Sequence, residues 1–315
     1  MVSTRTALIP RITACVVVKD RLAMMRDCLD ALAAQEGIDY DVVVIDNGSS
    51  DGTYEMVKAR AEDFPTRMTV FRVPGPLGGA RQAALDHAQA PLVAFTDSDC
   101  LPACDWLSHL GAAFDDERLD VVQGRTDPVV NPAGRWPKTI SIDGWTDRYE
   151  TCNIGYRTRA LQAAGGFDRA GEAGGEDTTA GWRVRRLGRS HAYASGALVH
   201  HAVTYPGLRW HHRFARDLAM WPALVRDFPE LRNTLLHKRF FLRERSAAFD
   251  LAVLAVALMS ARKPLGVLLL IPYARLLRPA WRADGVRGAA EVLSYDLNTA
   301  IGLLAGSWRA RTVVL

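Results

Sequence analysis

Two carboxylates two residues apart, Asp97-Ser98-Asp99, follow directly on the apolar run Leu92-Val93-Ala94-Phe95-Thr96. On a turn at a strand end such a pair presents hard oxygen ligands together, the arrangement that Mg2+ or Mn2+ accepts beside substrate phosphates. The pair alone does not decide, because Asp also ends strands and caps helices. Three further groups carry compatible chemistry. Asp46-Asn47-Gly48-Ser49-Ser50-Asp51-Gly52 offers a carboxylate and an amide for a base or ribose edge, or a plain turn in which Asp51 caps the next helix. Gly78-Gly79-Ala80-Arg81-Gln82 opens a helix with small residues that permit close approach, and Arg81 is available for a diphosphate or for an acidic loop. Gly165-Gly166-Phe167-Asp168 leads through a Gly-rich segment to Gly175-Glu176-Asp177, where a carboxylate on a glycine-flanked loop can act as a general base or as a helix cap.

The elements that must hold these groups read as an alternation. Ile12–Val18 is an apolar, β-branched strand, and Leu22, Met25, Leu29 and Leu32 then recur at helical spacing. Val42-Val43-Val44-Ile45 is a second strand, followed by the Asp46–Gly52 turn and a helix from Thr53 to Ala61. Met68–Val73, a Pro/Gly loop and a helix over Ala80–Ala88 make a third round, and the run before Asp97 is the fourth strand. Continuous rather than alternating apolar strands imply burial on both faces, hence an α/β fold with a mainly parallel sheet flanked by helices. In such sheets ligands bind at the carboxyl ends of the strands, where every acidic or Gly-rich turn above is predicted. After Asp115 the rhythm loosens into Pro-, Gly- and Asn-rich stretches, a middle third expected to house the second substrate.

With 315 residues, 49% of them apolar and 23% charged, the chain can bury a substantial core, which excludes disorder, collagen and a small disulfide scaffold. The net charge of +4 hides a split: residues 1–200 hold 22 Lys/Arg against 27 Asp/Glu, and residues 201–315 hold 17 against 8. The basic tail carries two apolar runs, Ala247–Met259 and Pro264–Leu277, separated by Arg262-Lys263. Neither reaches the roughly 20 residues of a spanning helix. Flanked by cations and Trp281, they fit short helices lying in a membrane interface better than the alternative of two buried helices docked on the body. Five cysteines without a paired spacing argue against a disulfide framework or a zinc site and for reduced thiols. The first eleven residues contain no apolar export signal, so the expectation is a cytoplasmic enzyme peripheral to the inner face of the membrane.

In order and spacing, these pieces from residue 12 to 205 resemble the family 2 glycosyltransferases of GT-A fold. The resemblance implies a metal-dependent, inverting enzyme that moves a sugar from a nucleotide-diphosphate donor to a hydroxyl acceptor. It implies Asp46 and Asn47 in nucleotide recognition, Arg81 on the phosphate side, Asp97 and Asp99 in the metal and diphosphate motif with Asp99 the principal ligand, and Asp177 as general base. In some relatives a histidine near His200-His201 joins the metal, which marks His201. The first strand ends in Val17-Val18-Lys19-Asp20, departing from the family's usual Pro-Thr-Tyr-Asn, and Arg209–Phe214 lacks the order of the processive motif, so single-sugar transfer is expected. The cofactor implied is Mg2+ or Mn2+. The implied partners are a nucleotide-diphosphate sugar, a carbohydrate or lipid-linked cell-envelope acceptor and a cytoplasmic membrane surface, with no nucleic acid. A non-catalytic scaffold of the same fold and a nucleotidyltransferase are the competing readings; intact acids argue against the first, and Lys19-Asp20-Arg21 does not supply the loop the second requires. The catalytic domain is expected over residues 1–225 and the basic, apolar helical region over 226–315.

Overall fold

The computed structural model describes residues 10–168 and 174–315; the N-terminal segment and part of the Gly-rich stretch before Gly175 lie outside the described residues. The chain divides into two compact units. One comprises the described residues up to Pro132 together with Thr139–Thr204, and the other comprises Ala133–Lys138 and Tyr205–Leu315.

The first unit is built on an eight-stranded sheet of order β3-β2-β1-β4-β7-β6-β8-β5. Its opening half follows the alternation predicted: β1 (Ile12–Val18), α1 (Leu22–Ala33), β2 (Tyr40–Asp46), α2 (Thr53–Arg60), β3 (Met68–Arg72), α3 (Leu77–His87) and β4 (Leu92–Asp97). β1 pairs in parallel with both β2 and β4, and β2 with β3. Every residue from Val42 to Ile45 is buried, because helices cover both faces. The register sets Val18 opposite Asp46 and Val17 opposite Asp97, so the acidic ends of β2 and β4 flank the end of β1.

Beyond β4 the sheet is mixed. β5 (Cys100–Pro102), α4 (Trp106–Ala113), β6 (Leu119–Pro128), β7 (Asn153–Arg157), α5 (Thr158–Ala163), α6 (Glu176–Arg186) and β8 (Ser190–His201) complete the unit. β7 enters antiparallel between β4 and β6, β8 runs parallel to β6, and β5 pairs antiparallel with β8. The sequence reading did not resolve β5, β6 and β7: β5 is three residues long, and Gly155 interrupts the apolar run of β7 because a Cβ there would lie 3.1 Å from the Phe114 ring.

The second unit is helical: α7 (Leu208–Asp217), a 3-10 turn (Leu218–Met220), α8 (Trp221–Asp227), α9 (Leu231–Thr234), α10 (Glu244–Ser260), a 3-10 segment (Pro264–Leu270) and α11 (Ile271–Ala310). α11 is broken at Asp284 and Gly285. The main boundary between the two units falls at 204/205. α7 and the turn after it lie directly on α11, where Cβ atoms at Gly302 and Gly306 would come 2.8 Å from the Arg216 carbonyl oxygen and 2.1 Å from that of Ala219. Ala133–Lys138, within the stretch expected to house the second substrate, joins the same unit. Arg135 pairs with Glu291, Trp136 Nε1 donates to the Glu291 carboxylate at 3.1 Å, and the Trp136 carbonyl meets His211 Nε2 at 3.1 Å. Among the described residues no helix is long and apolar enough to cross a membrane.

Candidate active site

The turns after β1 and β2 knit into one another. Asp20, at φ +50°, accepts from the Ser50 amide at 2.7 Å and its own amide donates to Ser49 Oγ at 2.9 Å. Asp51 accepts from the amides of Leu22 and Thr53, so it caps the entries of α1 and α2 together. Asp46 is fully enclosed: its carboxylate accepts from the amides of Gly48 and Ser49, each at 3.1 Å, and Arg72 Nε lies 3.4 Å away. Asn47 Oδ1 accepts from the Gly75 amide at 2.9 Å, tying the loop before α3 to the same place. The work visible in Asp46 and Asn47 is the shaping of this loop pair.

The two acids of Asp97-Ser98-Asp99 are divided between two arginines. Asp97, partly exposed at the end of β4, lies 3.5 Å from Arg81 Nη2, and Arg81 Nη1 pairs with Glu176. Asp99 is buried and its Oδ2 pairs with Arg21, a residue the sequence reading did not single out. On the other side of Asp99 stands His201, with Nε2 3.8 Å from Oδ1. A three-residue strand delivers that neighbour: the β5–β8 ladder sets Cys100 opposite His201, and the Ala202 amide donates to the Asp99 carbonyl at 2.8 Å.

Among the described residues, Asp99, Cys100 and His201 form the group able to hold a cation, their ligand atoms all within 4.8 Å of one another. His201 Nδ1 lies 2.8 Å from the Ala202 carbonyl oxygen, which can only accept, so Nδ1 donates there and Nε2 is the ring atom that faces Asp99. A carboxylate and an imidazole nitrogen facing each other are a ligand pair that suits Mn2+. Burial, reinforced by Cys152, Asp97 and Asp99, pushes the Cys100 thiol well above its ordinary value. Asp97 lies outside this group.

Asp177 sits in the first turn of α6, entered through Gly174 and Gly175 at φ +99° and +84°, a left-handed pair that residues with a Cβ adopt only with strain. Burial and then the adjacent Glu176 carboxylate raise its pKa from 3.8 to about 7, with Glu150 adding; Arg81 and the Thr178 amide pull the other way. Arg81 is held charged. Burial alone would lower its pKa, and Asp97, Glu176 and Asp177 outweigh it. Glu150, also missed in the sequence, sits on a loop where Asp147 and Tyr149 take positive φ, and it accepts from Gln123 Nε2 at 2.7 Å. The Tyr149 ring lies over Gly181 of α6, where a Cβ would come within 2.0 Å of it. That contact fixes the helix bearing Asp177.

Two glycine motifs form one seam. Gln82 Oε1 accepts from the Phe167 amide at 2.7 Å, directly under Gly166, and Gly78 admits the Asp168 carbonyl where a Cβ would be 2.2 Å from its oxygen. Arg81, between Gly78 and Gln82 on α3, is thereby carried to Asp97 on β4 and to Glu176 at the start of α6. Thus Arg81, Asp97, Glu176 and Asp177 are brought into one charged network, Asp99 and His201 into a second, and Asp46 and Asn47 into the loops alongside.

Comparison with known proteins agrees with this geometry. The model of the family described as "Glycosyl transferase family 2" matches residues 13–173, just over half of the chain. A mannosyltransferase from Pyrobaculum calidifontis, solved with GDP-Man and Mn2+, superposes over 93% of this chain and 88% of its own with a TM-score of 0.66 at 20% identity, a likeness of fold. The uncharacterized glycosyltransferase YfnE of Bacillus subtilis is 36% identical over 84 residues, 26% of this chain and 21% of its own length. A beta-monoglucosyldiacylglycerol synthase of Trichormus variabilis is 26% identical over 147 residues, 41% of this chain and 31% of its own. The matches thus span less than half the length of these curated relatives. The matched stretch contains the strand-end acids Asp46, Asp97 and Asp99 together with Arg81, and it ends just before α6: the chain belongs to glycosyl transferase family 2.

Proposed function

We propose that the chain transfers a single sugar, with inversion, from a nucleotide-diphosphate donor to the hydroxyl of a lipid-linked or cell-envelope acceptor at the cytoplasmic membrane surface. The observation that carries the reading is Asp177, a carboxyl with pKa about 7 set beside the arginine that also holds Asp97. A base whose pKa matches the working pH combines a useful deprotonated fraction with the driving force to take a hydroxyl proton. Asp177 takes the acceptor proton, Glu176 and Arg81 set the field in which it does so, and the Asp46 and Asn47 loops receive the nucleotide. Asp99 and His201, with Asp97 nearby, would hold Mg2+ or Mn2+, which would supply positive charge against the leaving diphosphate. The acceptor class follows the glycolipid synthase relative and the basic tail.

The test is donor binding and transfer in wild type and Asp177→Asn, with nucleotide sugars titrated with and without Mn2+. The variant is expected to bind donor as wild type does while its transfer rate falls by about a thousandfold. Undiminished transfer overturns the base assignment, and donor binding indifferent to Mn2+ overturns the metal. Because the base must be deprotonated, the wild-type rate falls as pH drops below about 7. The sign for stability is opposite. A carboxyl raised from 3.8 to about 7 on folding favours the folded state fully below pH 3.8, and that benefit disappears as pH rises through 7. At pH 8 wild type bears the cost of burying the charge, so Asp177→Asn unfolds at a higher temperature there.

A further inference from the structure

The hairpin made by α10 and the 3-10 segment after it is packed inside out. Its limbs double back through Ala261, Arg262 and Lys263, with Arg262 at φ +58°. Small residues lie between the limbs: Ala255 is buried, and a Cβ on Gly266 would come 3.0 Å from both the Ala255 carbonyl oxygen and Leu258 Cβ. Large apolar side chains lie outside, Val253, Leu254 and Val256 on one limb and Leu265, Val267 and Leu268 on the other, with Leu265 77% exposed. A hairpin solvated by water places these classes the other way round. Small residues inside and large aliphatic ones outside is the order favoured when the surroundings are themselves apolar.

Charge identifies the surroundings. From Leu251 to Ala283 the sequence contains no Asp or Glu and five cations, Arg262, Lys263, Arg275, Arg278 and Arg282. A second copy of the chain seated on this face would bring one set of five cations against another. An anionic lipid surface neutralises them and accepts the aliphatic side chains in the same step. Neither limb is long enough to span a bilayer. The base of the hairpin is fixed, because buried Asp296 on α11 accepts from Arg245 at 2.5 and 3.1 Å and from Tyr273 Oη at 2.7 Å, joining α10 to both ends of the break in α11. The base of the hairpin is therefore tied to α11 independently of any partner.

We infer that residues 251–283 are an interfacial anchor whose aliphatic tip enters the outer acyl region of an anionic bilayer while Arg262, Lys263, Arg275, Arg278 and Arg282 engage the lipid phosphates. The test is co-sedimentation of the full chain with phosphatidylcholine vesicles with and without phosphatidylglycerol. Wild type is expected to sediment with the anionic vesicles and to be released by salt. Leu265→Asp/Leu268→Asp should weaken the partition by about tenfold or more, and Arg262→Glu/Lys263→Glu should weaken it on anionic vesicles alone. Both pairs are exposed, so folding is retained and circular dichroism checks it. Wild type left in the supernatant with anionic vesicles overturns the inference, as does an aspartate pair that partitions like wild type. A wild-type dimer in light scattering that the aspartate pair converts to monomer assigns the face to a second copy instead. No donor or acceptor enters the measurement, so it stands or falls separately from the transfer reaction proposed above.

Discussion

The sheet body and the α10 hairpin are both rich in Val and Leu, and they turn those residues in opposite directions. In β1, β2 and β4 the branched side chains are enclosed on both faces, and polarity is confined to the strand ends, where Asp46, Asp97 and Asp99 emerge. Toward the tip of the hairpin the enclosed residues are Ala255 and Gly266, and the branched side chains of Val253, Leu254, Val256, Leu265, Val267 and Leu268 face out. One composition thus answers to two kinds of surroundings, and the sign of burial, not the count of apolar residues, tells them apart. The body contains its own apolar solvent; the hairpin awaits one.

Substitutions sharpen this contrast in descending order. The largest structural effect is expected from Arg81→Met, which strands the buried Glu176 carboxylate and should cost about 3–5 kcal/mol in urea unfolding. The same change removes a cation that lowers the Asp177 pKa, so any residual activity should show its acidic limb at higher pH. Ile45→Ala, in a fully buried site on β2, should cost about 2–5 kcal/mol. Gly78→Ala forces a methyl against the Asp168 carbonyl and should cost about 1–3 kcal/mol while loosening the seam that carries Arg81. Leu268→Ala, on the outward face of the hairpin, should shift stability by less than about 0.5 kcal/mol. A Leu268→Ala loss as large as that of Ile45→Ala would break the comparison and make the hairpin an ordinary core.

Legibility follows how far each feature depends on residues close in sequence. β1 through β4 and the turns that end them were readable because each is an unbroken branched run closed by Gly, Asp or Asn. The positions of Asp97, Asp99 and Asp177 at element ends were readable for the same reason. β5 was not, because three residues carry no period, and β5 is what brings His201 to Asp99; that pairing was accessible only by resemblance. Arg21 was missed because its partner Asp99 is reached across the turn between β1 and α1, and no local pattern marks an arginine as the counter-ion of a remote carboxylate. The Gly78–Gln82 motif reads as small residues permitting close approach with Arg81 available for a diphosphate or an acidic loop, and in the structure Gly78 and Gln82 also clasp Gly166 to Asp168. The helical unit was recognised by its cations and apolar runs, but its claim on Ala133–Lys138 rests on Glu291, more than 150 residues away.

The short β5 ladder has a consequence for how this centre tolerates sequence drift. Asp99 and His201 are aligned by main-chain bonds, Ala202 amide to Asp99 carbonyl and Ala103 amide to Leu198 carbonyl, which are indifferent to the side chains that frame them. Leu101 can therefore be exchanged without misaligning the two side chains, whereas inserting one residue between Asp99 and Pro102 shifts the register and carries His201 away from the Asp99 carboxylate. The centre is robust to substitution and fragile to insertion.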